Sequence, residues 1–144
     1  MKLDETDSTN LASVSRILDT YGWPPGLSDE ANKAIILVID HSDLKTMNRY
    51  IGLFHDAVEK GYLSMNDLVT MEDRMLMNAG KAQKYGTQAY SLVKDGKTVI
   101  YIWPVEDPDK LDALRKSVGL MPIEDYLEIV KQQGVEIIYD STKL

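Results

Sequence analysis

Apolar residues recur along most of this chain at spacings of three and four, the period of a helix with one buried face. Leu11, Val14, Ile17, Leu18 and Tyr21 predict a first helix, with Thr9 or Asn10 as its cap and Gly22 as its stop. Trp23-Pro24-Pro25-Gly26 then forbids continuation, and Trp23 reads as a core anchor against a helix end. Ser28 followed by Asp29 and Glu30 predicts a second helix over 29–40. The β-branched cluster Ile35, Ile36, Val38 and Ile39 suits a buried strand as well, and the cap and the length favour helix. Because this segment is apolar on every side, it is expected to be enclosed by other elements. Ser42 or Asp43 caps a third helix with the stripe Leu44, Met47, Ile51, Phe54 and Val58, closed by Gly61. Ser64 and Asp67 form a near match to a capping box for a fourth, whose stripe is Met65, Leu68, Val69, Met75 and Leu76, and Gly80 closes it. Methionines at stripe spacing read as core filler.

The period then changes. Residues 81–88 are polar and aperiodic, and 90–93 and 98–103 flank Asp95-Gly96, a strong signal for a two-residue hairpin. That turn pairs Leu92 with Val99 and Tyr90 with Tyr101, with Trp103 on the same face. Val93, Ile100 and Ile102 make the other face apolar too, which predicts a ribbon covered on both sides. Asp107-Pro108 opens a short helix with Leu111, Leu114 and Val118, and Pro122 opens a last one with Ile123, Tyr126, Leu127 and Val130 inward. Residues 135–139 suit either a strand or an ordered tail. The expectation is a mainly α (α+β) fold, a helical domain of five to six helices with one β-hairpin near 89–103. It is read as a single domain over 1–144, with 1–8 and 140–144 as loose ends.

Composition narrows the partners. With 144 residues, 44% hydrophobic and 27% charged, the chain suits one ordered domain. A formal charge of −7 argues against nucleic acid, which needs clustered Lys and Arg, and fits a small molecule, a peptide or a basic protein. The absence of cysteine excludes disulfide and thiol chemistry. The acidic start Met-Lys-Leu-Asp-Glu is not a signal peptide, and no apolar run approaches a membrane span, so the expected location is cytoplasmic.

Two constellations carry candidate chemistry. In the first, the apolar run ending at Ile39 delivers Asp40, His41 and Asp43 to one spot. Histidine beside carboxylates is the composition of a general base or pH switch, with His41 and Asp43 as candidate catalytic residues. The alternative is a helix-end histidine followed by an aspartate that caps the next helix. A metal site is not expected, since the second histidine, His55, lies on a separate helix. The second constellation is Asp73-Arg74 with the segment Gly80-Lys81-x-Gln83-x-Tyr85-Gly86-Thr87-Gln88. Arg74, Lys81, Gln83, Tyr85, Thr87 and Gln88 offer a guanidinium, an ammonium, amides, a phenol and a hydroxyl suited to ligand binding by hydrogen bond. The alternative is a tight connection in which Gln and Tyr satisfy buried backbone.

Tyr21-Gly22-Trp23-Pro24, His41-Ser42-Asp43, Glu72-Asp73-Arg74, the Gly80 to Gln88 segment and Pro104-x-Glu106-Asp107 together resemble an uncharacterised bacterial family classed as a domain of unknown function. Asp40 stands where the family pattern has glutamine. The resemblance implies a real site and supplies no reaction. The leading reading is a cofactor-free domain that binds a small polar molecule or peptide in a cleft shared by His41, Arg74 and at least one of Gln83, Tyr85 and Gln88. The runners-up are an acid–base hydrolase or lyase using His41, and an acidic inhibitor or immunity-type protein steered to a basic partner.

Overall fold

Ser28 caps as its position before two acids predicts: its Oγ accepts from the Ala31 amide at 3.1 Å, and helix α2 runs from Asp29 to Asp40. A computed structural model describes residues 5–141. Its internal contacts divide the chain near residue 71, into a first unit ending at Met71 and a second beginning at Glu72. The expected tail segments 1–4 and 142–144 lie outside the described residues.

The first unit holds α1 (Glu5–Tyr21), α2, α3 (Leu44–Glu59) and the start of α4 (Met65–Asn78). Residues 5–8, expected to be loose, form the first turn of α1. The β-branched run of α2 is helical. Ile35 and Ile39 are buried on one face and Leu37 is 54% exposed, so the segment is amphipathic in space rather than enclosed. Asp43 caps α3 by accepting from the Thr46 amide at 2.8 Å. Ser64 and Asp67 close the predicted box on α4, each accepting from the other's backbone amide at 3.1 Å.

Trp23 ties these helices together. Its ring meets Phe54 edge-on at 5.0 Å, and its indole N–H donates to Asn32 Oδ1 at 2.9 Å. Asn32 in turn donates to the Tyr62 carbonyl at 3.3 Å. The tryptophan is therefore the expected anchor, and a buried amide makes its polar atom acceptable in the core. Asp19 on α1 accepts from Arg49 and Tyr50 on α3, at 2.8 and 2.9 Å.

In the second unit, Asp95 and Gly96 both have positive φ, 51° and 77°, the geometry of a two-residue type I′ turn. They join β1 (Ala89–Lys94) to β2 (Lys97–Ile102) in the expected register, Leu92 opposite Val99 and Tyr90 opposite Tyr101. Helices α5 (Leu111–Ser117) and α6 (Ile123–Gln132) follow a 3₁₀ turn at Pro108–Lys110. Residues 136–138, open between strand and tail, form β3, which pairs parallel to β2 and completes a sheet of order β1-β2-β3.

The face carrying Ile100, Ile102 and Ile137 packs with Val105, Leu111, Ile123 and Leu127 into one apolar cluster. Each such side chain contributes on the order of 1.5–3 kcal/mol of burial. The expectation of a ribbon covered on both sides holds only for its base. Val99, Tyr101 and Ile102 are buried, whereas residues 91–98 are exposed, Val93 at 72%. β1 is an edge strand, and the covering cluster reaches only the part of the hairpin that β3 and the helices flank.

Two predictions follow from these cores. Asn32→Ala leaves the Trp23 N–H buried without its acceptor and should cost about 1–3 kcal/mol in urea denaturation. The second concerns Tyr139, which packs against the apolar cluster of the second unit and whose hydroxyl is buried without a hydrogen bond to any described residue. Burial, reinforced by Asp112 and Glu124, pushes this phenol above its usual value. A pKa raised on folding means that the folded chain holds the proton more tightly. The resulting stability is complete below about pH 10 and is lost as pH rises through the folded value. Tyr139→Phe should flatten that alkaline loss and raise stability at neutral pH by up to about 1 kcal/mol, read from denaturation curves across pH.

Candidate functional site

His41 and Asp43 belong to the first unit; Arg74, Lys81, Gln83, Tyr85, Thr87 and Gln88 belong to the second. His41 is exposed and forms the C-cap of α2, its amide donating to the Leu37 carbonyl at 3.0 Å. Asp43 is exposed as well, and hydrogen bonds from Thr46 hold its carboxyl below the usual range. Between them Ser42 is buried and its hydroxyl donates to the Ile39 carbonyl.

The polar loop of the second unit is organised by a residue that the stripe of α4 carries inward. Asp73 follows Val69 by four and is fully buried. One carboxylate oxygen accepts from the Lys84 amide at 2.8 Å, and the other from the Thr87 hydroxyl at 2.8 Å and the Thr87 amide at 3.2 Å. The Tyr85 amide lies 3.2 Å from both oxygens. A buried carboxylate is tolerable because the loop wraps it in donors.

Arg115, from α5, holds the same turn from its carbonyl side. Its Nη1 donates to the Tyr85 and Gly86 carbonyls at 2.8 and 3.4 Å. Its Nε donates to the Met121 carbonyl at 2.6 Å, and the guanidinium stands 5.8 Å from the centre of the Tyr126 ring. Burial lowers its pKa, opposed by Asp112, Tyr126 and Asp73. An arginine remains charged nonetheless. Gly86, buried and at φ 68°, supplies the left-handed backbone that turns these carbonyls toward the guanidinium.

Gln83 fastens this loop to the hairpin. Its side-chain amide donates to the carbonyls of Gln88 and Trp103 at 2.9 and 2.7 Å, and its Oε1 accepts from the Gln88 amide at 2.8 Å. Its backbone bridges to the segment after β2: the Gln83 amide donates to Pro104, and the Glu106 amide to Gln83. The Trp103 indole donates to the Lys81 carbonyl at 2.7 Å. Gln83 thereby clamps the point where β1 begins to the point where β2 ends. Thr87 and Gln88 join the same network, with Gln88 Nε2 3.3 Å from the Thr87 hydroxyl. Arg74 and Tyr85 are half-buried, and Lys81 and Lys84 are exposed.

From this clamped base the hairpin extends as an exposed arm. One of its faces carries Tyr90, Leu92 and Lys94 on β1, and Lys97, Val99 and Tyr101 on β2. Tyr90 and Tyr101 stack at 5.4 Å, and Trp103 meets Tyr90 edge-on at 5.9 Å. Lys94 lies 5.1 Å over the Tyr101 ring, and its contact with the Tyr101 hydroxyl holds the ammonium above its usual value. Lys94, Asp95, Lys97, Val99, Tyr101, Glu136 and Ile138 line a concavity of about 350 Å³ on this face. Among the described residues no group of three or more His, Asp or Glu is placed to hold a metal ion.

Asp73 stands in the second constellation only as the neighbour of Arg74, and Arg115 stands in neither, although one signal marks both. Each charged group occupies an inward position of an apolar stripe, Asp73 between Val69 and Leu76 and Arg115 between Leu111 and Val118. The fold and this arrangement define an α+β protein with a charge-locked loop at the base of a hairpin. The chain belongs to DUF6624, a family of unknown function, whose model matches residues 1–137. No curated protein and no solved structure matches it.

Asp73→Asn keeps the size of the side chain but turns an N–H₂ group toward backbone donors. It should cost at least about 3 kcal/mol. It should also speed hydrogen exchange at the amides of Lys84, Tyr85 and Thr87 well before global unfolding. Unchanged exchange at those amides would remove the carboxylate from its organising role.

Proposed function

We propose that the protein is a peptide-binding domain whose recognition element is the β1–β2 arm. The observation that carries this reading is the contrast along the hairpin. Its base is clamped by Gln83, Asp73 and Arg115, while residues 91–98 are exposed and include Leu92 and Val93 at 46% and 72%. Exposed apolar side chains on a fixed edge strand are a common basis for recognition. A fixed base limits the ordering cost of binding. In this reading Gln83, Thr87 and Gln88 hold the arm, and Arg74, Lys81 and Tyr85 supply supporting contacts near its base. The acid–base reading has less behind it, since His41 is exposed and Asp43 is engaged as a helix cap.

The test is selection of a random peptide library on the full chain, followed by affinity measurement on a Leu92→Ser, Val93→Ser double variant. Enriched peptides should bind the variant at least about tenfold more weakly, a loss of roughly 1.4 kcal/mol. Peptides that bind both proteins equally would refute the arm as the recognition element.

A further inference from the structure

The outer strand of the arm turns half of its backbone away from the sheet, and the register identifies which half. In a two-residue hairpin the pair flanking the turn exchanges both hydrogen bonds, and such pairs alternate along the ladder. Lys94 and Lys97 are that pair. Lys94, Leu92 and Tyr90 therefore direct their amides and carbonyls to β2, and Val93 and Ser91 direct theirs outward. β1 is an edge of the β1-β2-β3 sheet, and residues 91–94 are exposed.

Resting on the reading of the hairpin as a recognition arm, we propose that an extended segment of another protein adds antiparallel to β1 as a fourth strand. Read from its N-terminus, this segment carries an acidic, an apolar and an aromatic residue at alternate positions. Each position follows from a row across the sheet. Lys94 and Lys97 are directly opposed, and like charges in that position are destabilising. An acid placed beside Lys94 on its open side offers the ammonium, which lies over the Tyr101 ring in the free chain, a partner of opposite charge. The next row on this face is Leu92 and Val99, where Leu92 is 46% exposed and an apolar neighbour covers it. The third is the stacked pair Tyr90 and Tyr101, which an aromatic ring extends.

Charge favours the same partner. In a chain of net charge −7, the hairpin 89–102 carries Lys94 and Lys97 against Asp95 alone. Glu136, opposite Val99, lies across β2 from the added strand. The antiparallel direction is the one with perpendicular, slightly stronger ladder bonds. Main-chain bonds then provide affinity and the alternating side chains provide selectivity, as in other strand-addition complexes.

The experiment uses the full ¹⁵N-labelled chain and the peptide acetyl-Gly-Glu-Thr-Val-Thr-Tyr-Gly-amide. The expected result is amide shifts centred on Ser91 and Val93. Affinity should fall at least about tenfold when the peptide's Glu is replaced by Lys, and the Lys peptide should regain it on the Lys94→Glu variant. Val93→Pro, which deletes one outward amide, should abolish binding while the β2 cross-peaks persist. Absence of shifts at about 1 mM peptide, or equal affinity for the Glu and Lys peptides, would overturn the proposal. Shifts of the same amides on dilution without peptide would make the occupant a second copy of this chain, and would overturn it too. Library peptides that need Leu92 and Val93 but leave the Ser91 and Val93 amides unshifted would sink strand addition alone. Library peptides indifferent to the arm would sink both readings.

Discussion

A carboxylate with no access to water must find donors inside the protein, and Asp73 finds them in a single short loop. The amides of Lys84, Tyr85 and Thr87 and the hydroxyl of Thr87 converge on its two oxygens. The carbonyls left on the far side of that turn are taken by Arg115. The peptide groups between Asp73 and Arg115 thus lie between a buried anion and a buried cation, each satisfied by the loop, chiefly by its backbone, rather than by the other. Such an arrangement is demanding, because removing either charged group leaves the other with peptide dipoles aligned for a partner that is gone. It is also directional, since only a loop of this course satisfies both charges.

The remainder of the second unit builds on that loop. Gln83 enters the hairpin base with every polar atom of its side chain engaged, which fixes where β1 leaves the loop and where β2 returns. The apolar cluster under Ile100, Ile102 and Ile137 then secures the sheet against α5 and α6. Beyond that cluster residues 91–98 are exposed, and the strands continue as a regular hairpin with the register of its turn and its cross-strand pairs. The first unit has a parallel in miniature, where one buried amide, Asn32, joins the indole of Trp23 to the backbone at Tyr62. In both units a buried polar side chain specifies how elements meet, and the apolar contacts supply most of the favourable free energy.

This division gives the polar segment of residues 80–88 a physical meaning. The Gly-Lys-x-Gln-x-Tyr-Gly-Thr-Gln stretch reads as a ligand-gripping loop when only its composition is considered, because amides, a phenol and a hydroxyl are groups that recognise. In the folded chain, Gln83 and the backbone and hydroxyl of Thr87 are directed inward. Lys81 and Lys84 remain exposed, and the element proposed for recognition is the hairpin that begins directly after Gln88.

The sequence by itself determined the local elements. Helices announced by side-chain caps, Ser28, Asp43 and Ser64, start where those caps stand, because a cap acts within three residues of itself. The hairpin register followed from Asp95-Gly96, since a two-residue turn leaves no freedom in pairing. The tertiary structure decided what depends on residues far apart in the chain. Whether 136–138 form a strand rests on a parallel pairing with β2 across two intervening helices. The exposure of Leu37 and Val93 rests on which faces other elements cover. The role of Asp73 and Arg115 rests on a loop brought between them. Their inward stripe positions were visible as charges out of place, but the partner that makes a buried charge acceptable lies eleven to thirty residues away in sequence, and only folding brings it within hydrogen-bond reach.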